Sequence, residues 1–292
     1  MGSARRPYAS RAVTARTALF TALALVGFAG NSLLCRAALA DGSIDPASFT
    51  AVRLASGGVV LLGLARLASG ARPLAGSWAG AVALFAYAAP FSYAYLRLGA
   101  ATGALVLFVA VQITMVGIGV ARGERPRSLA WCGLAVALAG LAALTLRGAG
   151  AADPWGLCGM TLAGISWGVY SLLGRRGLET PLAATAGNFV RAVPLAGVLL
   201  VWAAATSVLE VRRTGFWLAV GSGAAASGLG YSLWYAALPA LSAARAAVLQ
   251  LLVPVLTSLG GVALLGEALT LRFAVSAAAI LLGVGLVIRG RA

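Results

Sequence analysis

Four uncharged polar side chains lie inside long apolar stretches of this sequence: Asn31, Gln112, Asn188 and Gln250. Removing an unpaired amide from water costs about 2–7 kcal/mol, so each needs a partner inside the protein or in a ligand. Such amides can hold the ammonium and carboxylate of a small molecule, and they can equally bond one helix to another without a ligand. We predict substrate binding for three of them: Asn31, Gln112 and Gln250.

Aromatic residues accompany these amides. Tyr87 and Phe91 are four residues apart and therefore share one face of a helix. A cavity walled by such side chains accepts a flat ring by stacking, and we predict this role for the deeper rings: Tyr87, Phe91, Trp167, Tyr231 and Trp234. Rings near span ends instead form belts at the membrane surface, which we predict for Tyr93, Tyr95 and Tyr235.

Two arginines also fall within apolar stretches. Arg53 and Arg191 each follow a valine at equivalent places in the two halves of the chain. An arginine at membrane depth is by default a candidate for function. It can anchor a substrate carboxylate, or it can clamp backbone carbonyls. Because the arginine recurs in both halves while a substrate is asymmetric, the clamp is slightly favoured.

The sequence lacks the residues that most enzymes and metal sites require. It contains no histidine, which excludes Ser-His catalysis and histidine proton relays. Its three cysteines are isolated and have no metal-binding spacing. Glu124 and Glu267 are the candidates for proton coupling, but both are at span ends, where we expect them to cap helices or pair with Arg125 or Arg272. We predict no enzyme activity, no cofactor and no metal.

Composition places these residues in a membrane. The chain is 61% hydrophobic and 10% charged, with a mean hydropathy of +0.95, whereas a soluble domain has about 25% charged residues. Continuous apolar runs of about 20 residues predict membrane-spanning helices. We predict ten spans, near residues 17–38, 47–66, 77–97, 100–121, 128–147, 155–174, 181–205, 214–236, 241–265 and 270–289.

The ten spans form two related halves. Residues 31–36, Asn-Ser-Leu-Leu-Cys-Arg, recur 139 residues later as Tyr-Ser-Leu-Leu-Gly-Arg, and Trp78 recurs at the same offset as Trp217. A unit that crosses the membrane five times must start its second copy from the opposite side. We therefore predict an all-α integral membrane protein of two inverted five-helix repeats, an arrangement typical of secondary transporters. The predicted limits are a basic N-terminus at 1–16 and repeats at 17–147 and 155–289.

Charge predicts the orientation. All of the 22 basic residues are arginines, and most lie on the side of the two termini. The positive-inside rule then places both termini in the cytoplasm of a bacterial inner membrane. The arginines are scattered over short loops, which argues against nucleic acid binding, and the N-terminal ones suit contact with membrane lipid. The first span also resembles a cleavable signal ending at Ala38-Leu39-Ala40, but its place in the repeat favours retention.

The repeat motifs resemble the drug/metabolite transporter superfamily, in particular its ten-helix EamA branch. The second copy carries Pro254 and then Leu-Gly-Glu-Ala-Leu-Thr at 265–270. The first copy is weaker, with Gly123-Glu124 but Val111 in place of the proline. The resemblance covers nearly the whole chain after about residue 16, and overall similarity is greatest to bacterial aromatic amino-acid exporters. It implies the ten-helix fold and a transport function.

These observations predict a secondary transporter that exports small metabolites, aromatic and related amino acids first, by alternating access. With no titratable group at membrane depth to carry protons, we expect facilitated diffusion. The alternative is a multidrug or other metabolite exporter, with proton coupling as a further variant. The predicted partners are a small-molecule substrate and membrane lipid, with function as a monomer.

Overall fold

The computed structural model describes residues 14–69, 74–146, 153–175, 180–265 and 270–290, and nearly all of them are helical. Local signals set several helix starts; before α5, for example, the Asp153 side chain accepts a hydrogen bond from the Gly156 N–H and Pro154 takes the first helical position. The helices are α1 Ala15–Leu39, α2 Pro46–Ser69, α3 Trp78–Ala121, α4 Ser128–Thr145, α5 Pro154–Gly174, α6 Pro181–Thr206, α7 Arg213–Gly221, α8 Gly230–Ala237, α9 Ala243–Leu249, α10 Leu252–Leu265 and α11 Leu271–Arg289. Most of the predicted N-terminus 1–16 lies outside the described residues.

The outer surface of the helices is suited to lipid. Within the described ranges, nine helical stretches are long and apolar enough to cross a membrane. Large apolar side chains point outward along them: Val59 is 72% exposed, Val198 71% and Trp155 77%. Lipid solvates such a surface, and helices satisfy their own backbone hydrogen bonds there. The predicted all-α membrane fold is confirmed.

Helix α3 contains two of the predicted spans, Trp78–Leu98 and Thr102–Ala121. Leu98 lies against Gly156 at the start of α5, whereas Leu107 and Ala110 lie against Gly164 further along α5. Tyr87, which precedes Leu98 in α3, contacts Trp167 near the far end of α5 with its ring. The first half of α3 therefore runs antiparallel to α5 and the second half runs parallel to it, so the chain reverses direction between the two spans. A straight helix of this length would be about 66 Å long, twice what a membrane needs.

The eighth predicted span, 214–236, is divided. Between α7 and α8, residues Ser222–Leu229 form a π-helix, whose hydrogen bonds run from residue i to i+5. This segment consists mostly of Ser, Gly and Ala, and it packs closely on α2, since a Cβ at Gly223 would lie 2.1 Å from the Arg53 carbonyl oxygen. The span was predicted from apolar length alone, which carries no signal for the change of helix type.

The ninth predicted span is also divided, and here the cause is local. Pro254 has no N–H and its ring collides with the carbonyl four residues earlier, at Gln250. The Gln250 carbonyl instead accepts from the Val253 N–H at 3.0 Å, and α9 ends at Leu249 while α10 begins at Leu252. The helix thus breaks one turn before the proline, and Gln250 lies at the break.

The two halves of the chain interleave. Helix α2 packs on α6 and α4 packs on α11, which are the second with the seventh and the fifth with the tenth spans. A Cβ at Gly133 or at Gly283 would meet the other's carbonyl oxygen within 2.6 Å, so α4 and α11 approach as closely as small residues permit. Helix α1 packs on α8 and α10, and α3 on α5. The limits of the two repeats, 17–147 and 155–289, remain predictions.

Candidate functional site

A small cavity lies between the two halves. Its volume is about 30 Å³, far below the roughly 300–1,000 Å³ of a ligand pocket. Six of the eight residues predicted to bind substrate line it: Asn31, Tyr87, Phe91, Trp167, Tyr231 and Gln250. The remaining lining residues are Phe28, Ser32, Leu107, Phe108 and Val253. A substrate of metabolite size would fit only after the helices separate.

Aromatic rings make up one wall of this cavity. The ring centroid of Trp167 lies 4.6 Å from that of Tyr231 and 4.9 Å from that of Tyr87. Phe28 stands edge-on to Trp167 at 5.2 Å, and Phe91 lies 5.5 Å from Tyr87. Offset and edge-on pairs at these distances are favourable for aromatic rings. The same surfaces can take the ring of a ligand once the cavity widens.

Two amides fix the polar end of the cavity. The Trp167 indole N–H donates to Oε1 of Gln250, and the Gln250 amide donates to the Ala246 carbonyl at 3.1 Å. Oδ1 of Asn31 accepts from Ser222 at 2.7 Å and from Ser227 at 3.3 Å. In an α-helix, two residues five apart lie about 140° from each other around the axis. The π-helix brings both serines to one amide.

Arg53 lies directly behind two of the lining tyrosines and is 1% exposed. Its Nη2 donates to the hydroxyls of Tyr231 at 2.5 Å and of Tyr87 at 3.4 Å. Its Nε donates to Ser227 Oγ at 2.9 Å, and its Nη1 has no hydrogen-bond partner among the described residues. No carboxylate of the described residues forms a salt bridge with this guanidinium. The sequence prediction left the role of Arg53 open between anchor and clamp.

Arg191 has different partners. Its Nη1 donates to the carbonyl oxygens of Ala75 at 2.7 Å and Gly187 at 3.0 Å. The side chain therefore ties α6 to the segment that precedes α3, which is the clamp predicted from the recurrence of the arginine. Nearby, Asn188 accepts from the Ser77 N–H at 2.9 Å, so this amide also serves contact between helices.

Two predicted residues do not line the cavity. Gln112 is 2% exposed and donates to the Ala247 carbonyl at 2.8 Å, so it bonds α3 to α9. Trp234 is fully buried, donates to Ser171 Oγ at 3.1 Å and packs edge-on against Phe28. Each side chain faces a neighbouring helix instead of the cavity, because rotation of the helix about its axis decides which face meets the centre.

One prediction for the surface rings is wrong. Tyr235 was expected at the membrane surface, but it is 5% exposed and donates to the Tyr170 carbonyl at 3.0 Å. Tyr93 and Tyr95 are half-buried. Of the lining residues that the prediction missed, Phe28 is three residues before Asn31. Residues three or four apart share a helix face, so this spacing was the available signal.

The cavity is closed on the side of the Glu124 loop. Glu124 Oε1 lies 2.7 Å from Nη2 of Arg175, and its Oε2 accepts from the Ala243 N–H at 2.9 Å at the start of α9. Glu124 thus caps a helix as expected, but the expected pairing with Arg125 is wrong because α5 brings Arg175 to it. The expected pairing of Glu267 lies outside the described residues.

On the opposite side, two loops are joined to each other. Ile44, between α1 and α2, pairs with Val211, between α6 and α7, in an antiparallel bridge. The Asp45 N–H donates to the Glu210 carbonyl at 2.8 Å, and the Glu210 N–H donates to the Asp45 carboxylate at 3.1 Å. Contacts between loops and helix ends therefore lie on both sides of the helices.

The described residues offer no metal site, since no three His, Cys, Asp or Glu side chains among them converge. Cys35 is buried, whereas Cys132 and Cys158 are exposed on outer helix faces.

Comparison with known proteins agrees with this architecture. The profile of the EamA-like transporter family matches residues 154–289, which is almost the predicted second repeat. An uncharacterized protein of Pseudomonas aeruginosa is 51% identical over 277 residues, which cover 94% of this chain and 96% of that protein. A solved structure, described as a crystal structure of a protein, superposes on this chain with a TM-score of 0.78. The match covers 94% of this chain and 98% of the other at 21% sequence identity, so the two share a fold. The chain belongs to the EamA-like transporter family.

Proposed function

We propose that this membrane transporter of small metabolites exports ring-bearing substrates, aromatic and related amino acids first, through the central cavity. The observation that carries the proposal is the ring wall of Tyr87, Trp167 and Tyr231 beside the amides of Asn31 and Gln250. A flat ring can stack on this wall while the polar part of the substrate meets the amide end. The substrate contacts remain a proposal for the six lining residues, and Gln112 and Trp234 act behind them.

Alternating access accounts for the contacts on both sides of the helices. A cavity of about 30 Å³ is too small for a metabolite, so substrate exchange requires the contacts to open on one side at a time. The Glu124–Arg175 pair would open toward one side, and the bridge between Ile44 and Val211 toward the other. In the proposed orientation, with both termini in the cytoplasm of a bacterial inner membrane, Glu124 faces the cytoplasm.

Facilitated diffusion by a monomer in membrane lipid is the simplest mode. The chain has no histidine, and none of the described residues that line the cavity is an acid. The described cavity wall therefore lacks the His, Asp and Glu side chains that proton relays in transporters use.

Efflux from proteoliposomes tests the proposal. Vesicles with purified protein are loaded separately with labelled phenylalanine, leucine and a cationic dye, with and without a clamped proton gradient. Phenylalanine efflux above that of protein-free vesicles, independent of the gradient, is the expected result. Trp167→Ala should reduce it about tenfold, whereas Trp155→Ala, on the exposed face of the same helix, should not. Dye efflux without amino-acid efflux would contradict the substrate proposal and indicate a drug exporter.

A further inference from the structure

The buried charge next to the cavity has one sign. Arg53 is 1% exposed, and the acids of the described residues lie in loops or at helix ends: Asp41, Asp45, Glu124, Asp153 and Glu210. Of these, Glu124 already pairs with Arg175. A buried cation normally has an anionic partner, because the loss of hydration is otherwise uncompensated. Within the described part of the chain, the protein does not supply that partner.

The hydrogen bonds around Arg53 lead to the cavity wall. Nη2 of Arg53 bonds the hydroxyls of Tyr87 and Tyr231, both of which line the cavity. The Tyr231 hydroxyl donates to that of Tyr87 at 3.4 Å. The Tyr87 hydroxyl receives both bonds and donates none to any described residue, so its proton is available to an acceptor in the cavity. With the unpartnered Nη1 of Arg53, the cluster offers donors and a positive charge, which suits a carboxylate.

An ammonium group finds no charged partner. Oε1 of Gln250 already accepts from the Trp167 indole, which leaves it one lone pair, and Oδ1 of Asn31 accepts from two serine hydroxyls. The Ser32 hydroxyl donates to the Phe28 carbonyl at 3.2 Å. None of the described residues that line the cavity is an acid, and Arg53 repels a second cation. The amino group of an amino acid would therefore bring a positive charge into a site that is already positive.

We propose that the preferred substrates are aromatic carboxylates without an amino group, with the carboxylate held by Tyr87, Tyr231 and Arg53. The ring stacks on Trp167 and Phe91. This inference rests on the proposed transport of ring-bearing substrates through the cavity, and within that class it places aromatic carboxylates without an amino group ahead of aromatic amino acids. The carboxylate neutralises Arg53 in the loaded state, so a single anion serves both binding and charge compensation.

Three ligands of one skeleton test the proposal. Equilibrium dialysis of the purified full-length protein with labelled 3-phenylpropanoate, phenylalanine and 2-phenylethylamine compares a carboxylate alone, both groups, and an amine alone. We expect 3-phenylpropanoate to bind at least tenfold more tightly than phenylalanine, and 2-phenylethylamine to bind more weakly than either. Phenylalanine binding as tight as 3-phenylpropanoate would overturn the inference and leave the amino-acid exporter standing. Absence of binding by all three, together with absence of efflux, would overturn both.

Variants test which residues cause the preference for 3-phenylpropanoate over phenylalanine. Arg53→Gln should weaken 3-phenylpropanoate binding at least tenfold and abolish its advantage over phenylalanine, while Arg53→Lys should restore part of it. Binding of neutral 3-phenylpropanol reports whether the ring wall of each variant is intact. Should Arg53→Gln not fold, Tyr87→Phe keeps the ring and removes only the hydroxyl donor, and it should reduce the advantage about fivefold. An undiminished preference in both Tyr87→Phe and Arg53→Lys would overturn the assignment of the carboxylate to this cluster.

Discussion

Arg53 and Arg191 occupy equivalent places in the two repeats, each after a valine in the second helix of its half, yet their surroundings differ. Among the described residues, Arg53 is 1% exposed and its bonds go to side-chain hydroxyls. Arg191 is half-buried, and its bonds to described residues go to backbone carbonyls. The first contacts the wall of the cavity, and the second joins α6 to the segment before α3. The duplicated arginine therefore contacts the cavity wall in one half and ties helices together in the other.

The difference comes from what each arginine meets. The π-helix and α8 present Ser227 and Tyr231 to Arg53, and their hydroxyls also contact the cavity residues Asn31 and Tyr87. Arg191 bonds the Ala75 carbonyl, which is a backbone group and not a side chain that could rearrange. Hydroxyls can rearrange around an incoming anion, whereas a carbonyl repels one. The environment, more than the residue type, therefore assigns the role of each arginine.

The largest expected effect is at Gly187, in the Arg191 region. A Cβ there would lie 1.7 Å from the Ala75 carbonyl oxygen and 2.6 Å from Nη1 of Arg191. Because one of these neighbours is backbone, Gly187→Ala should lower the free energy of unfolding by about 3 kcal/mol or more. Thermal unfolding in detergent, together with the yield of monodisperse protein, measures the loss.

Gly197→Ala is the matched control on the same helix. A Cβ at Gly197 meets nothing within 4 Å, and alanine is favoured over glycine in a helix by about 1 kcal/mol. This variant should unfold at an equal or higher temperature. Equal unfolding temperatures for Gly187→Ala and the unaltered protein would show that the segment before α3 is not held against α6.

Arg191→Gln should have the next largest effect. Hydrogen bonds to charged groups contribute about 1.5–3 kcal/mol each, and partial exposure reduces this, so we expect a loss of about 2 kcal/mol in stability with unchanged ligand preference. Unfolding temperature and the ratio of 3-phenylpropanoate to phenylalanine affinity are the two measurements. Arg212→Gln, which removes an exposed ion pair with Glu210, should change neither quantity. A lost preference without a lower unfolding temperature would reverse the roles given to the two arginines.

Much of the fold could be predicted because apolar length decides it. The runs that become α1, α2, α4, α5, α6 and α11 begin and end within a few residues of the predicted limits. The break before Pro254 is also local, because the proline ring collides with the carbonyl four residues earlier, and this explains why Gln250 lies at the break. These features follow from local sequence, where each cause and its effect lie within one helical turn.

The site was less predictable because it depends on contacts between distant spans. Gln112 and Gln250 are both amides at membrane depth, but only Gln250 lines the cavity, since helix rotation about the axis separates them. The π-helix that joins Ser222 and Ser227 to Asn31 is sustained by a residue almost 200 positions away in the chain. Neither rotation nor helix type can be derived from hydropathy.

Tyr231→Phe tests the Arg53 region. The change keeps the ring, which lies 4.6 Å from Trp167, and removes the hydroxyl that accepts from Arg53. We expect the affinity for 3-phenylpropanoate to fall about tenfold, equivalent to about 1.4 kcal/mol, as measured by equilibrium dialysis. Tyr235→Phe, in the same helix as Tyr231, removes a hydroxyl bonded to the Tyr170 carbonyl of α5 and should leave this affinity unchanged. A similar affinity loss in both variants would indicate a general effect of α8 packing instead of a role in anion binding.

Ser227→Ala should have the smallest effect, and it distinguishes the position of the Arg53 guanidinium from its charge. Ser227 Oγ accepts from Nε of Arg53 at 2.9 Å and donates to Asn31 at 3.3 Å, so it orients the guanidinium without lining the cavity. Its removal should cost about 0.5–1.5 kcal/mol of stability and weaken 3-phenylpropanoate binding about threefold, because Arg53 keeps its charge and its tyrosine partners. Ser232→Ala is the control, since the buried Ser232 hydroxyl has no partner among the described residues and its loss should be neutral or stabilising. If Ser227→Ala weakened binding as much as Arg53→Gln, the orientation of the Arg53 guanidinium would matter as much as its charge. The difference between Arg53 and the clamp at Arg191 would then depend on how each guanidinium is oriented.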